Sequence, residues 1–366
     1  MTTLAYSWGA PCFLALEWLA IPGGIVCFSQ HGIKCLDQLS GAEIWSEGGD
    51  YGDGIAIAPG GSLLAARREA PLGLAGRAPA VGITELDSTT GKAIRMIPTP
   101  FAPVAVTDYG ILGRWLEIGG RFRTRIALVD ESGEELWCEE RGGEERFQWT
   151  CPVANESLLA AYGKVVECRS VKDGSLRWNQ SMATHGGIAR PWGATVADGV
   201  LVLLAETGTV GLDAEDGHLL WSYPSVARAA LSKGFAFLGG HRSLVAMNAR
   251  TGEGVWSRDI FLEMRKVLPR GPLYSPATAP AVSSDLVFVV DQSGRVWTFD
   301  RHTGEVLDAK RHRGIGVISG SPLVVVGDRL YVNDLSIDEA APSALHCFRV
   351  AEKDHPAGRV RSRGLR

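Results

Sequence analysis

The chain has 366 residues, 45% hydrophobic and 21% charged, with 45 glycines and 18 prolines; this turn-rich composition excludes a disordered or collagen-like polymer and supplies a large core. A formal net charge of −4 and a pI near 6.1 provide no broad cationic field, which argues against nucleic acid as a partner.

The first residues, MTTLAYSWGAPCFLALEWLA, lack a basic leader, and Glu17 interrupts the apolar stretch that follows. No export signal is read there, and the expected location is the cytoplasm. Every later apolar stretch soon ends in Gly, Asp or Arg, so no membrane-spanning helix and no membrane partner are expected. The cysteines, Cys12, Cys27, Cys35, Cys138, Cys151, Cys168 and Cys347, form no CxxC pair and have no HxxH companion. They are expected as reduced, buried thiols with no metal site. A metal or redox grouping of Cys12, Cys27 and Cys35 is the alternative.

From residue 35 onward one phrase recurs: CLDQLSGAEIW, ELDSTTGKAIR, LVDESGEELW, CRSVKDGSLRW, GLDAEDGHLLW, MNARTGEGVW and TFDRHTGEVLD. Its glycines are Gly41, Gly91, Gly133, Gly174, Gly217, Gly252 and Gly304, separated by 50, 42, 41, 43, 35 and 52 residues. That spacing suits one four-stranded propeller blade per repeat. In most copies an apolar strand ends in Asp or Asn, glycine takes the positive φ of a tight turn, and a second strand starts. Four residues after the glycine stands Trp45, Trp137, Trp178, Trp221 or Trp256; Arg95 and Asp308 replace it in two repeats, where contacts should be looser or differently filled.

The phrase resembles the tryptophan-docking motif of the PQQ-repeat (quinoprotein alcohol dehydrogenase-like) propeller family, Ala-x-Asp-x-x-Thr-Gly-x-x-x-Trp. Asp37, Asp87, Asp213 and Asp300 stand four before the glycine as the motif asks, Asn248 substitutes once, and Asp130 is shifted by one. The resemblance extends from about residue 12 to 350. Segments such as GATVADGVLVLLAETGTV supply the other strands of each blade. After Gly304, ISGSPLVVVGDRLYVND and SALHCFRV provide three strands, and the N-terminal TTLAYSWG, with Trp8 in the docking place, provides a fourth. The expected fold is therefore all-β: a single closed β-propeller of about eight four-stranded blades over residues 1–352, its ring closed by pairing the N- and C-terminal strands. Seven blades with an irregular end are the alternative. Residues 353–366, KDHPAGRVRSRGLR, form a basic tail expected to be disordered, or to bind an acidic partner.

The first-to-second and third-to-fourth strand turns are short, as in ADG at 197–199 and SKG at 232–234. Long connections near 68–80, 139–149, 182–192 and 258–276 should all fall on the opposite face. Within the last, DIFLEMRKVLPRG has Phe261, Leu262, Arg265 and Leu268 at helical spacing, with Pro269 ending the helix. It would cover the channel mouth or pack as a simple insertion. Irregular loops on a rigid scaffold carry binding, so the candidate partner-binding residues are Trp149, His185, Arg190, Trp192, Tyr274, His312 and Arg313.

The resemblance implies first a PQQ-dependent dehydrogenase, whose cofactor sits in the channel beside an adjacent-cysteine disulfide, a calcium held by acidic and amide side chains, and an aspartate base. This chain has no adjacent cysteines, and no cofactor is expected. No nucleophile elbow, HExxH, phosphate loop or dinucleotide fingerprint occurs either. The expected function is a non-catalytic scaffold binding a protein or peptide through the loop-rich face, as the resemblance to outer-membrane assembly relatives implies. The alternative is a cytoplasmic biosynthetic enzyme acting on a small molecule or peptide at the channel mouth, which a deep polar pocket would favour.

Overall fold

Each glycine phrase folds as the hairpin its residues dictate. A computed structural model describes residues 3–11, 17–29, 32–49, 51–68, 80–117, 123–142, 147–153, 156–187, 194–225, 227–267, 278–311, 315, 323–334 and 344–351. In the first hairpin the Asp37 carboxylate accepts the amide N–H groups of Leu39 at 3.1 Å and Ser40 at 2.7 Å, and Gly41 donates to the Asp37 carbonyl at 2.9 Å. Asp87, Asn248 and Asp300 repeat this pattern.

These bonds to the ionised form pull carboxyls down. Asp87 is held at about 2, chiefly by the Thr89 hydroxyl, and Asp173 at about 2, chiefly by the Ser175 hydroxyl. An unfolded aspartate titrates near about 3.9. The folded values lie below that, so the stability these groups contribute is fully present above pH of about 4 and is lost as pH falls through about 2. The urea midpoint of the protein is expected to fall across that window. Asp87→Ala with Asp173→Ala should flatten the decline, and an unchanged acid slope would show that the turns do not contribute to it.

The strands assemble into eight four-stranded antiparallel sheets. Blade 1 runs outward as Glu17–Ile21, Gly24–Ser29, Gly32–Asp37 and Glu43–Gly48. Blades 2 to 7 repeat this order over 51–97, 102–142, 147–181, 195–223, 228–259 and 281–311. Blade 8 is composite: Leu323–Val326, Arg329–Asp334 and Ala344–Ala351 are completed outermost by Thr3–Pro11, in register from Thr3 opposite Ala351 to Pro11 opposite Ala344. The expected eight blades and their terminal closure are thus observed, and the pairing leaves no unfilled strand position in blade 8.

The core lies between blades. Buried side chains form a cluster at each of the eight blade junctions, and the ring closes through Ile25, Cys27 and Leu36 of blade 1 against Tyr331, Leu345 and Cys347 of blade 8. Middle strands are therefore buried on both sides, and Val200–Ala205 reads as an unbroken apolar run rather than an alternation.

The docking tryptophans reach across these junctions. Trp45, Trp137, Trp178, Trp221 and Trp256 each lie against the glycine of the next hairpin, at Gly91, Gly174, Gly217, Gly252 and Gly304. Four of them donate the indole N–H to a carbonyl there: Ser88 at 2.9 Å, Val171 at 2.7 Å, Ala249 at 2.7 Å and Arg301 at 2.8 Å. Where tryptophan is missing the junction is filled differently. Arg95 pairs with Glu85 at 2.7 Å and donates to the Glu131 carbonyl at 3.4 Å. Asp308 accepts the Leu4 N–H at 3.4 Å, while Lys310 donates to the Leu4 carbonyl at 3.2 Å, so this pair clamps the closing strand.

The helix spans Ile260–Val267. Asp259 caps it by accepting the Leu262 N–H at 3.1 Å, and Ile260 and Met264 are fully buried against the junction of blades 6 and 7. It lies on the outer strands Ser243–Asn248 and Gly254–Asp259, so it is a packed insertion and not a cover for the channel. Of the residues noted at helical spacing, Leu262 is 57% exposed, and Leu268 is outside the described residues. No helix among the described residues is long and apolar enough to cross a membrane.

Candidate functional site

Antiparallel order fixes where the connections emerge. With strands running outward in sequence, the turns between first and second and between third and fourth strands share one face. The second-to-third turns and the blade-to-blade connections share the other. The long segments near 68–80, 182–192 and 258–276 belong to that second set, as expected; most of 139–149 is instead strand, Glu135–Gly142 and Phe147–Val153, which leaves only 143–146 as the connection there.

Its best-described part joins blades 4 and 5. Strand Leu176–Ser181 ends in Met182, whose N–H donates to the Lys164 carbonyl at 2.6 Å and whose side chain is buried in the junction. A single 3-10 turn, Ala183–His185, follows and ends at Gly186, with φ of 80°. The His185 carbonyl then accepts the Thr207 N–H at 3.3 Å and its hydroxyl at 3.1 Å, and Glu206 donates to the Gly187 carbonyl at 3.1 Å. The connection is thereby tied to the second-to-third turns of two successive blades, and half-buried His185 sits at that tie. Trp149 enters on the innermost strand Phe147–Val153 of the same blade, next to a register irregularity, so both residues belong to the loop-rich end of blade 4. The Trp149 side chain is outside the description. Arg190, Trp192, Tyr274, His312 and Arg313 lie outside the described residues.

Two polar arrangements within the blades were not anticipated. Asp291, fully buried in the second-to-third turn of blade 7, accepts the Ser293 N–H at 2.8 Å, the Ser293 hydroxyl at 2.6 Å and the Trp297 indole N–H at 2.9 Å. Between blades 3 and 4, buried Glu167 bonds Arg169 at 2.5 Å, Arg169 reaches Glu139 at 3.2 Å, and Arg141 bonds Glu139 at 2.9 Å. The Arg141 guanidinium also lies 4.7 Å from the centre of the Tyr162 ring. The sequence signal was a charged pair two apart, Glu167 and Arg169, on one face of an otherwise apolar strand.

The innermost strands bear on the enzyme alternative. Ala102–Thr107, Thr195–Ala197, Ala281–Val282 and Leu323–Val326 carry no charge, and Arg228 is the one charged side chain described on any innermost strand. Glu17 and Asp53 occupy such strands with side chains outside the description. A PQQ and calcium centre of the kind the resemblance implies needs converging acidic and amide donors and an adjacent cysteine pair. The sequence has no adjacent cysteines, and the described innermost side chains gather no such donor set. Among the described residues, the one grouping with metal-ligand geometry is Asp213, Asp216 and His218 on the opposite face. There Asp213 pairs with Arg250 at 2.8 Å and Asp216 with His218 at 2.5 Å, so two of its carboxylates are already engaged.

A ring of eight blades, joined by tryptophan-on-glycine contacts, defines a PQQ-repeat β-propeller. The chain belongs to the PQQ-repeat family whose model is described as outer membrane protein assembly factor BamB; it matches over residues 123–235 and 225–343, more than half of the chain. No curated protein matches it. Among solved structures, BamB from Moraxella catarrhalis is similar with a TM-score of 0.66 at 15% identity, covering 96% of this chain and 99% of that one. A europium-containing methanol dehydrogenase is similar with a TM-score of 0.64 at 13% identity, covering 94% and 93%. Quinohemoprotein alcohol dehydrogenase from Comamonas testosteroni gives 0.62 at 12% identity, covering 96% and 77%. These likenesses establish the fold, which assembly factor and dehydrogenase share.

Proposed function

We propose that this propeller is a non-catalytic scaffold that binds a protein or peptide partner through its loop-rich face. The observation that carries the reading is the asymmetry of the ring: one face is closed by tight, internally bonded hairpins, and the other gathers every long connection, tied down at points such as His185. The uncharged innermost strands Ala102–Thr107, Thr195–Ala197, Ala281–Val282 and Leu323–Val326 support a non-catalytic role, and the family description supports assembly-type binding. Trp149, His185, Arg190, Trp192, Tyr274, His312 and Arg313 are the contact residues in this reading; aromatic and arginine side chains combine area with fixed donors. We also place the protein in the cytoplasm, where the free thiols Cys27, Cys35, Cys138, Cys151, Cys168 and Cys347 would stay reduced. Recovery in a periplasmic or membrane fraction would overturn that assignment.

Photo-crosslinking amino acids at positions 185, 190 and 274, with positions 89 and 251 on the opposite face as controls, test the scaffold in cells. A discrete protein adduct from the first set alone is the expected result. Adducts from the controls alone would move the partner to the other face. A small molecule that raises the melting temperature in proportion to its concentration, with no protein adduct, would replace the scaffold with the channel-mouth enzyme.

A further inference from the structure

The described chain ends at Ala351, and its surroundings fix where the remaining residues start. Ala351 pairs with Thr3, Val350 donates to the Asp328 carbonyl at 2.7 Å, and Arg349 lies 3.2 Å from the Asp328 carboxylate. Asp328 follows the first strand of blade 8, so the chain leaves on the tight-turn face, opposite the long connections.

That face is acidic. Each of the seven glycine hairpins carries at least one carboxylate, from Asp37 in blade 1 to Asp300 in blade 7, and Asp198, Asp285 and Asp328 add to them from the other turns. Turn chemistry accounts for the aspartates at the cap positions only; Glu215, Glu253 and Glu305 are exposed and cap no turn. The opposing cations described there are fewer than the carboxylates: Lys92, Lys172, Lys233, Arg250, already paired with Asp213, Arg329 and Arg349 beside Asp328, and buried Arg301, whose guanidinium is bonded to the Ser232, Ser283 and Ser284 carbonyls. The sequence beyond has the opposite sign. Residues 353–366 contain Lys353, Arg359, Arg361, Arg363 and Arg366 against Asp354, a net of +4. Since the whole chain carries −4, residues 1–352 carry −8.

We infer that the basic segment 353–366 docks in cis on the acidic tight-turn face, next to its point of exit on blade 8. Fully extended, these residues reach about 48 Å, enough to cross several blades. Blade 7 supplies the nearest exposed carboxylates on one side, Asp285 and Glu305, whose turns are tied together by the Arg301 N–H bond to the Asp285 carbonyl at 2.9 Å. Single exposed ion pairs are weak. Tethering compensates: a short flexible connection gives an effective concentration of about millimolar, so a segment that binds in trans with a Kd of about 100 µM is about nine-tenths docked in cis. The inference is independent of the scaffold reading, which concerns the other face.

The test uses a labelled peptide of residues 353–366, titrated by fluorescence anisotropy against the full chain and against protein truncated after Glu352. The peptide is expected to bind the truncated protein, and about tenfold more weakly when salt rises from about 20 mM to about 300 mM, because the screening length shortens below the spacing of the charges. It should bind the full chain about tenfold more weakly than the truncated form, since the tethered segment competes. Asp285→Asn with Glu305→Gln in the truncated protein should raise the Kd about threefold with the melting temperature unchanged. No binding at low salt, equal binding to both forms, or indifference to the double substitution would overturn the inference. Salt-labile dimers of the full chain that vanish on truncation would overturn it too, by assigning the segment to a second copy.

Discussion

Glu167→Ala is expected to destabilise the protein by about 3 kcal/mol or more, the range for removing one partner of a buried ion pair. Glu167 is 1% exposed, and its two oxygens lie 2.5 Å from Nε and 3.4 Å from Nη2 of Arg169. The Arg169 side chain is itself only 9% exposed. Without Glu167 its charge keeps the Gly174 carbonyl at 2.9 Å and Glu139 at 3.2 Å, but Glu139 is already bonded to Arg141. That residual partner places the expected effect at the lower end of the range. Tyr162 reports on the same site: burial first, and then the nearby Glu167 carboxylate, raise its phenol above the ordinary value. The urea midpoint measures the loss. Arg169→Met in the Glu167→Ala background should recover much of it, because exchanging a whole buried pair for apolar side chains is often neutral. A loss below about 1 kcal/mol, the range of solvent-exposed pairs, would mean that water reaches the network. The junction of blades 3 and 4 would then rest on its apolar cluster, Leu112, Ile126, Leu128, Leu158, Ala160 and Val171, and on the docked Trp137.

The hairpins, the blade count and the closure by Thr3–Pro11 were legible because each depends on local chemistry: an aspartate that caps, a glycine that takes positive φ, a strand without its partner. What the glycine-to-tryptophan spacing hid is that the two residues of one phrase do not meet. Trp137 rests on Gly174 and not on Gly133, and since both recur with the same period, sequence cannot separate a contact within a blade from one a repeat further on. The helix was legible as a helix but not in its facing. Its orientation follows from the Asp259 cap and the blade 6 strands, which bury Ile260 and Met264 and turn Leu262 outward. For the site, loop lengths located the working face. They could not pick its residues, since recognition depends on which side chains converge, and convergence is not a local property. The Glu139, Arg141, Glu167 and Arg169 network escaped for the same reason: charges on two strands became one cluster only when two blades packed.

Trp256→Ala should cost about 3–5 kcal/mol, the usual range for removing a large buried aromatic side chain. Its ring is 8% exposed, packs 6.1 Å from the Phe237 ring, and donates its N–H to the Arg301 carbonyl at 2.8 Å. Gly304→Ala should be comparably severe for two separable reasons. The backbone there has φ of 69°, a left-handed conformation that costs an L-residue about 1–2 kcal/mol. In addition, a Cβ on Gly304 would stand 2.6 Å from the Cδ2 and Cε3 atoms of Trp256. The indole cannot retreat without losing the Arg301 bond, and Arg258 holds the Gly304 carbonyl at 2.8 Å from the other side. In a Trp256→Ala background the clash disappears and the backbone strain remains, so Gly304→Ala should then cost only about 1–2 kcal/mol. The double-mutant cycle should accordingly be strongly non-additive, as expected for residues in contact. The junction of blades 2 and 3 is the internal control. Arg95 is 45% exposed there and no indole covers Gly133, so Arg95→Ala should cost less than about 1 kcal/mol. Additive effects at Trp256 and Gly304 would mean that the glycine serves its own turn alone, and that the tryptophan-on-glycine contact does not hold neighbouring blades together.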